Sequence, residues 1–205
     1  MGYSWAEGCI HIPFGLILQR DEEGKWSKGS SKQGNSNSLR EVIEAARDVI
    51  LEMIESKNPG LQNKEQTALE IGIGALVFND LKNRRLIDVK FDWDQVLSFE
   101  GDTGPYVQNA HVRLCSILRK ADGISKSCTI RWDKLLDDHS QQLIQTLELY
   151  PQRIVQVTID NEPSVLAQYC LQLAEAAHRF IHHNRVLGSN EEQERLFLVK
   201  CTQQV

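Results

Sequence analysis

The chain has 205 residues, 41% apolar and 25% charged, which suits one moderate globular domain or a small domain with part of another. Its 23 Lys and Arg against 28 Asp and Glu leave a net charge of −5, which argues against a general nucleic-acid coat protein but allows a local basic face. No apolar run reaches the roughly 18 residues that cross a bilayer, and the start, MGYSWAEGCIHIPFG, has neither the basic nor the long apolar segment of a secretory signal.

In chain order, His11 to Leu18 (HIPFGLIL) reads as one strand, bounded by Gly8 and the turn Asp21-Glu22-Glu23-Gly24. Residues 24–38 are rich in Gly, Ser, Lys and Asn, with Trp26 as their apolar residue, and read as a loop. Everything afterwards reads as helix. Ser38 and Glu41 make a capping box, followed by a stripe at 3.6 spacing through Val42, Ala46, Ile50 and Met53. Asn58-Pro59-Gly60 ends that helix. The next runs from about Lys64 to Lys82 and is apolar on most sides, so it is expected to be central. Its Gly72 and Gly74 permit close backbone approach.

Asp92 looks like another helix cap. After Glu100-Gly101-Asp102-Thr103-Gly104, Pro105 is expected at the first position of a helix that buries Val107, Ala110, Leu114, Ile117, Leu118 and Ala121. A loop follows at about 122–130. Trp132, Leu135, Leu136, Leu143 and Leu147 mark a further helix that ends at Tyr150-Pro151. Residues 152–159 fit strand by β-branched content and helix by spacing. Glu162-Pro163-Ser164 starts a long helix, and Glu191–Gln204 forms the last.

The segment FEGDTGPYVQNAHVRLCSILRKA, Phe99 to Ala121, resembles the strongest signature of arginyl-tRNA synthetases. NDLKNRRLIDVKFDWDQVL upstream resembles the stem region before that loop. EPSVLAQYCLQLAEAAHRFIHHNRVLGS downstream is similar to the family's E-P-x-x-L-x-x-Y-L-x-x-L-A segment, and HIPFGLIL looks like the last strand of its class I catalytic fold. The resemblance implies a mainly α fold: a helical bundle preceded by a short remnant of an α/β catalytic domain, about the C-terminal third of such an enzyme. The expected divisions are 1–38, the end of the catalytic domain with its nucleotide loop; 39–100, a helical stem region; and 101–205, a helical anticodon-binding domain.

The family's His-x-Gly-His signature does not occur here, so no catalytic residue is assigned. The resemblance implies a Lys-Met-Ser-Lys-Ser type loop in 24–38, in one of two registers: Lys25-Trp26-Ser27-Lys28-Gly29, or Ser30-Ser31-Lys32-Gln33-Gly34-Asn35, the second preferred for its spacing to Leu39. Lys28 or Lys32, with Ser30 and Ser31, would meet a triphosphate as a point charge and its hydroxyl neighbours. ATP and magnesium are implied for the full-length enzyme, and no cofactor for this chain alone.

Tyr106, Asn109 and Arg113 stand at i, i+3 and i+7 and share a helix face. Tyr can stack on an unpaired base, Asn bond a base edge, and Arg stack or hold phosphate; a half-buried packing role is the alternative for Tyr106. The resemblance carries RNA contact over to Asp102, Thr103, Gly104 and Tyr106, while Asn109 departs from the second aromatic common in relatives. Lys82, Arg84 and Arg85 form a basic knot that suits phosphate contact or a solvated helix end, and Arg185 suits RNA contact or a helix C-cap.

His178 and His182 lie four apart, but Arg179 follows where a zinc protease motif has Glu, so no metal site is expected. The five cysteines are odd in number and lack C-x-x-C, which argues against a disulfide framework and fits a reducing compartment. The expected function is binding of tRNA for arginine by part of an arginyl-tRNA synthetase, in the cytoplasm or an organellar matrix. The alternative is an inactive paralogue serving as a tRNA-binding or structural subunit. Partners beyond tRNA would be the missing catalytic part or a larger complex, with neither membrane nor DNA.

Overall fold

The computed structural model describes residues 2–20, 24–28, 38–121 and 129–205. Its first element after a short 3-10 turn at Ala6–Gly8 is β1 (Ile17–Arg20), followed by β2 (Trp26–Lys28). The helices α1 (Leu39–Lys57) and α2 (Lys64–Leu81) lead to β3 (Val89–Lys90) and the short α3 (Trp93–Val96). Then come α4 (Gly104–Lys120), α5 (Asp138–Glu148), α6 (Tyr150–Asp160), α7 (Ser164–His183) and α8 (Glu192–Gln204). The fold is mainly helical, with one small three-stranded sheet.

The sheet order is β2-β1-β3. β1 pairs antiparallel with β2 (Leu18 opposite Lys28) and parallel with β3 (Ile17 opposite Val89). The strand lies later than the apolar run HIPFGLIL predicts. Gly15 donates from its amide to the Arg85 carbonyl at 2.6 Å, which ties the segment down before pairing begins. Two readings change here. The stretch 24–38 is not all loop, since Trp26–Lys28 is a strand; the Arg20 guanidinium and the Lys90 ammonium lie 5.0 and 5.7 Å from the Trp26 ring centroid. The remainder of that stretch, with Ser30, Ser31 and Lys32, lies outside the described residues. Helix is also not continuous after residue 38, because β3 interrupts it.

The capping box forms as expected: the Ser38 hydroxyl accepts from the Glu41 amide, and the Glu41 carboxylate accepts from the Ser38 amide. Asn58 caps α1 at its other end. α2 packs against α1, α4 and α7, so it is central. A Cβ on Gly72 would sit 3.2 Å from Ala46, so the glycine sets the α1–α2 approach. Ala46, Ile50, Ala68 and Ala75 form one core with Val96 and Leu97. A second core joins Leu114 of α4, Leu143 of α5, Tyr169, Leu173 and Phe180 of α7, and Leu196 and Val199 of α8.

The helix expected to start near Trp132 begins later. Trp132–Lys134 is a separate 3-10 turn, and Trp132 is 59% exposed. Asp137 starts α5 instead, accepting from the Ser140 amide and hydroxyl and from the Asn184 side chain. Burial alone would raise the Asp137 carboxyl, but those donors hold it below its usual range. The open reading of 152–159 resolves to helix α6. Pro151 opens it and supplies no N–H, and Asn161 closes it in the left-handed region. The helix packs on α7 and leaves Ile159 72% exposed. No helix among the described residues is long and apolar enough to cross a membrane.

Candidate nucleic-acid interface

The loop before α4 is built by its own side chains. Thr103, 6% exposed, donates its hydroxyl to the Ser98 carbonyl at 2.6 Å and accepts the Tyr106 amide at 3.2 Å. Thr103 is therefore the N-cap, and Pro105 takes the second helical position rather than the first. A Cβ on Gly104 would fall 2.9 Å from the Gly74 carbonyl oxygen and 3.1 Å from Ala75 Cα. Only a glycine lets this helix start against α2. Thr103 and Gly104 are both buried, so their contribution to any ligand is the shape of the loop.

Lys82, at the end of α2, donates from Nζ to the Asp102 carbonyl at 2.7 Å. Burial pushes its ammonium below the usual lysine range, against the pull of the Asp102 carboxylate. The Gln168 amide of α7 donates to the Lys82 carbonyl. One end of the basic knot and the signature loop thus form a single corner. A cleft of about 370 Å³ opens beside it, lined by Asp102, Tyr106, Gln168, Gln172 and Glu175.

Tyr106 and Arg113 do share a face of α4, and both meet His178 of α7. The Tyr106 and His178 ring centroids are 4.9 Å apart, and Arg113 NH1 donates to His178 Nδ1 at 2.8 Å. Burial first, then the Arg113 charge, lowers the His178 pKa, so the ring is neutral at pH 7 and Nδ1 is its acceptor. Burial also raises the Tyr106 phenol, helped by Glu175. Asn109 is exposed on the same helix. Glu175 and Arg179 pair one turn apart on the outer side of α7.

Arg84 and Arg85 sit apart from that corner, in a cleft of about 590 Å³ between the end of α2, α6 and α7. Arg85 is committed to the fold: its guanidinium donates to the Pro13 carbonyl and lies 3.8 Å from Glu162, whose carboxylate also accepts the Arg85 amide. The Arg84 guanidinium is exposed and has no partner among the described residues. Arg185 donates to the Leu187 carbonyl just past the end of α7, a closing role for that turn. Lys28 lies on β2, beside a groove lined by Leu39, Val42, Val77 and Phe91, and joins none of the others. His182 stacks edge-on with His183 at 4.8 Å rather than turning to His178, and no group of three His, Cys, Asp or Glu among the described residues is placed to hold a metal.

The arrangement offers a half-buried aromatic ring, an exposed amide and an exposed guanidinium on one helix face, with carboxylates and carboxamides alongside. Those groups match the stacking and edge-bonding that unpaired bases need. Sequence reasoning missed His178 and Gln168 as members. Their only signal is their place on the outer side of α7, opposite its core stripe.

Two family models match: tRNA synthetases class I (R), catalytic domain, over residues 1–93, and DALR anticodon binding domain over residues 107–205. The chain is similar to the arginine–tRNA ligase of Alkaliphilus metalliredigens, 43% identical over 207 residues covering 100% of this chain and 36% of that protein. It is 42% identical to arginine–tRNA ligase 2 of Bacillus anthracis, covering 97% and 34%. Among solved structures, the Thermus thermophilus arginyl-tRNA synthetase superposes with a TM-score of 0.81 at 30% identity, over 95% of this chain and 32% of that one. The chain spans about a third of the length of the curated relatives it matches.

Proposed function

The chain belongs to the arginyl-tRNA synthetase family, and from that premise we propose that it binds tRNA for arginine through the face of α4 and α7 that carries Tyr106, Arg113 and His178. The observation that carries this reading is the convergence of Tyr106 and Arg113 on one neutral histidine. The histidine fixes one stacking ring and one cation side by side, which spares a ligand the entropy of ordering them. On this reading residues 101–205 are the anticodon-binding module, 39–100 the stem region and 1–38 the end of the catalytic fold. Asp102 and Asn109 contact base edges, Thr103 and Gly104 hold the loop, and Lys82 puts positive charge beside it, while Arg84 faces the neighbouring cleft and Arg85 and Arg185 serve the fold. The protein works in the cytoplasm.

The activity served is ligation of arginine to its tRNA, with ATP and magnesium in the whole enzyme. Of the two lysines the resemblance offers for a triphosphate, Lys28 lies within the described residues, and no carboxylate cluster among them suits magnesium.

A filter-binding titration of the chain with a tRNA transcript for arginine tests the reading. Salt-sensitive binding that weakens in Tyr106→Ala and Arg113→Ala, and holds in Cys115→Ser, supports it. Binding no better than that of an unrelated acidic protein overturns it.

A further inference from the structure

The 590 Å³ cleft is not used by the Tyr106 face, and its walls have an unusual composition. Arg84 and Arg153 present guanidiniums to it from opposite elements, the turn after α2 and helix α6. Arg153 spends one N–H on Gln156, through NH1 at 3.0 Å, and keeps the others. Arg85 and Glu162 cancel each other's charge in the wall, which leaves Asp160 as the opposing carboxylate. Tyr169 forms part of the same wall. It is 2% exposed, and its hydroxyl is buried with no hydrogen-bond partner. A buried, unpaired hydroxyl costs stability and calls for a reason.

Gln168 and Gln172 line both this cleft and the smaller one beside Tyr106. On α7, Gln168, Gln172, Glu175 and Arg179 are all exposed at spacings of four, three and four, so they form one polar stripe. Its length is about 16 Å by helical rise. The two clefts are thus ends of one groove, with guanidiniums at one end and a stacking ring with carboxylates at the other. A nucleic-acid strand has this division of chemistry: anionic backbone, and bases with faces to stack and amino groups to donate.

We infer that the cleft between Arg84 and Arg153 is a backbone subsite that takes a phosphodiester of the same RNA strand whose bases meet Tyr106. Arg84 and Arg153 clamp the phosphate oxygens, and the Tyr169 hydroxyl donates its otherwise unused hydrogen bond there. Burial lifts that phenol to about 12, so it remains a donor throughout the physiological range. The inference rests on the tRNA reading above and adds Arg153 and Tyr169, which lie outside the signature loop.

The test is nitrocellulose binding of the 205-residue chain to the tRNA transcript across a salt series, with thermal unfolding of each variant as a folding check. Arg84→Ala and Arg153→Ala are each expected to weaken binding about tenfold. Together, in the double variant, they are expected to lower the magnitude of the slope of log K against log salt by about 0.7 to 0.9, the share of one phosphate, with a smaller drop in each single variant. Asp160→Asn is expected to tighten binding, an outcome that a merely structural arginine cleft would not give. Tyr169→Phe is expected to weaken binding with the slope unchanged. Wild-type slope and affinity in both arginine variants, with Tyr106→Ala still impaired, overturns the subsite and leaves the tRNA reading standing. Failure of the wild-type chain to bind overturns both. Displacement of RNA by millimolar ATP in wild type but not in Arg153→Ala assigns the cleft to free nucleotide phosphates and overturns the backbone assignment.

Discussion

Arg113 donates to Nδ1 of His178 at 2.8 Å, across the seam between α4 and α7. The bond requires a neutral imidazole, because a protonated ring has no lone pair to accept with. Burial and the adjacent guanidinium depress the folded-state pKa of His178 below its ordinary 6.5. The unfolded chain therefore binds the proton first as pH falls. Full stability is expected above about pH 6.5, with a loss as pH drops below it. Urea unfolding of wild type and His178→Gln between pH 7.5 and 5.5 checks this, since glutamine accepts from Arg113 without titrating. The wild-type midpoint should fall relative to the variant across that range, and parallel curves would refute the argument.

Thr103 caps α4 and anchors the loop in one side chain, through the Tyr106 amide and the Ser98 carbonyl. Thr103→Ala should cost about 1–2 kcal/mol in denaturant unfolding, the upper part of the range for a lost helix cap. Thr103→Ser keeps the hydroxyl and should recover most of that loss. An alanine variant of unchanged stability would mean that solvent replaces both bonds.

Gly104→Ala and Gly72→Ala separate two kinds of close approach. Alanine favours helix over glycine by up to about 1 kcal/mol. At Gly72 the added Cβ meets Ala46 at 3.2 Å, where a small shift of α1 against α2 suffices, so the two effects should nearly cancel. At Gly104 it meets a backbone oxygen at 2.9 Å and Phe78 Cβ at 3.0 Å, which α2 cannot move without disturbing its own helix. Gly104→Ala should destabilise by about 1–3 kcal/mol and weaken RNA binding through the displaced loop. Calorimetric unfolding of the pair decides; equal midpoints would refute the distinction.

The helices are readable wherever a local signal fixes an end. Ser38 with Glu41, Asp92, and Asn58-Pro59-Gly60 need only their neighbours, and each acts as its residue type predicts. Pro105 misses by one position because the Thr103 hydroxyl moves the helix start one residue earlier. Val89–Lys90 carries no period of its own; its pairing is set by Ile17, 72 positions earlier in the chain. Residues 152–159 carry strand-favouring side chains, and packing on α7 decides for helix. The site divides the same way. Tyr106 and Arg113 are one helix face and can be read from spacing. Lys82 against Asp102, and His178 between Tyr106 and Arg113, join separate helices, and no local pattern predicts them.

Tyr169 sets stability against binding. Its hydroxyl is buried without a partner, and burial raises its pKa from 10.0 to about 12. An unfolded chain ionises its tyrosines near the ordinary value, so it releases this proton first as pH rises. Stability should therefore fall between about pH 10 and pH 12, and in a folded chain Tyr169 should be the last of the four tyrosines to ionise in an ultraviolet titration. Tyr169→Phe removes both effects. It also removes the cost of an unpaired buried hydroxyl, so near neutral pH the variant should be as stable as wild type or up to about 1 kcal/mol more stable. A protein made more stable by losing an oxygen atom keeps that oxygen for something other than folding. If Tyr169→Phe unfolds at a lower denaturant concentration than wild type, the hydroxyl has a structural partner and this contrast fails.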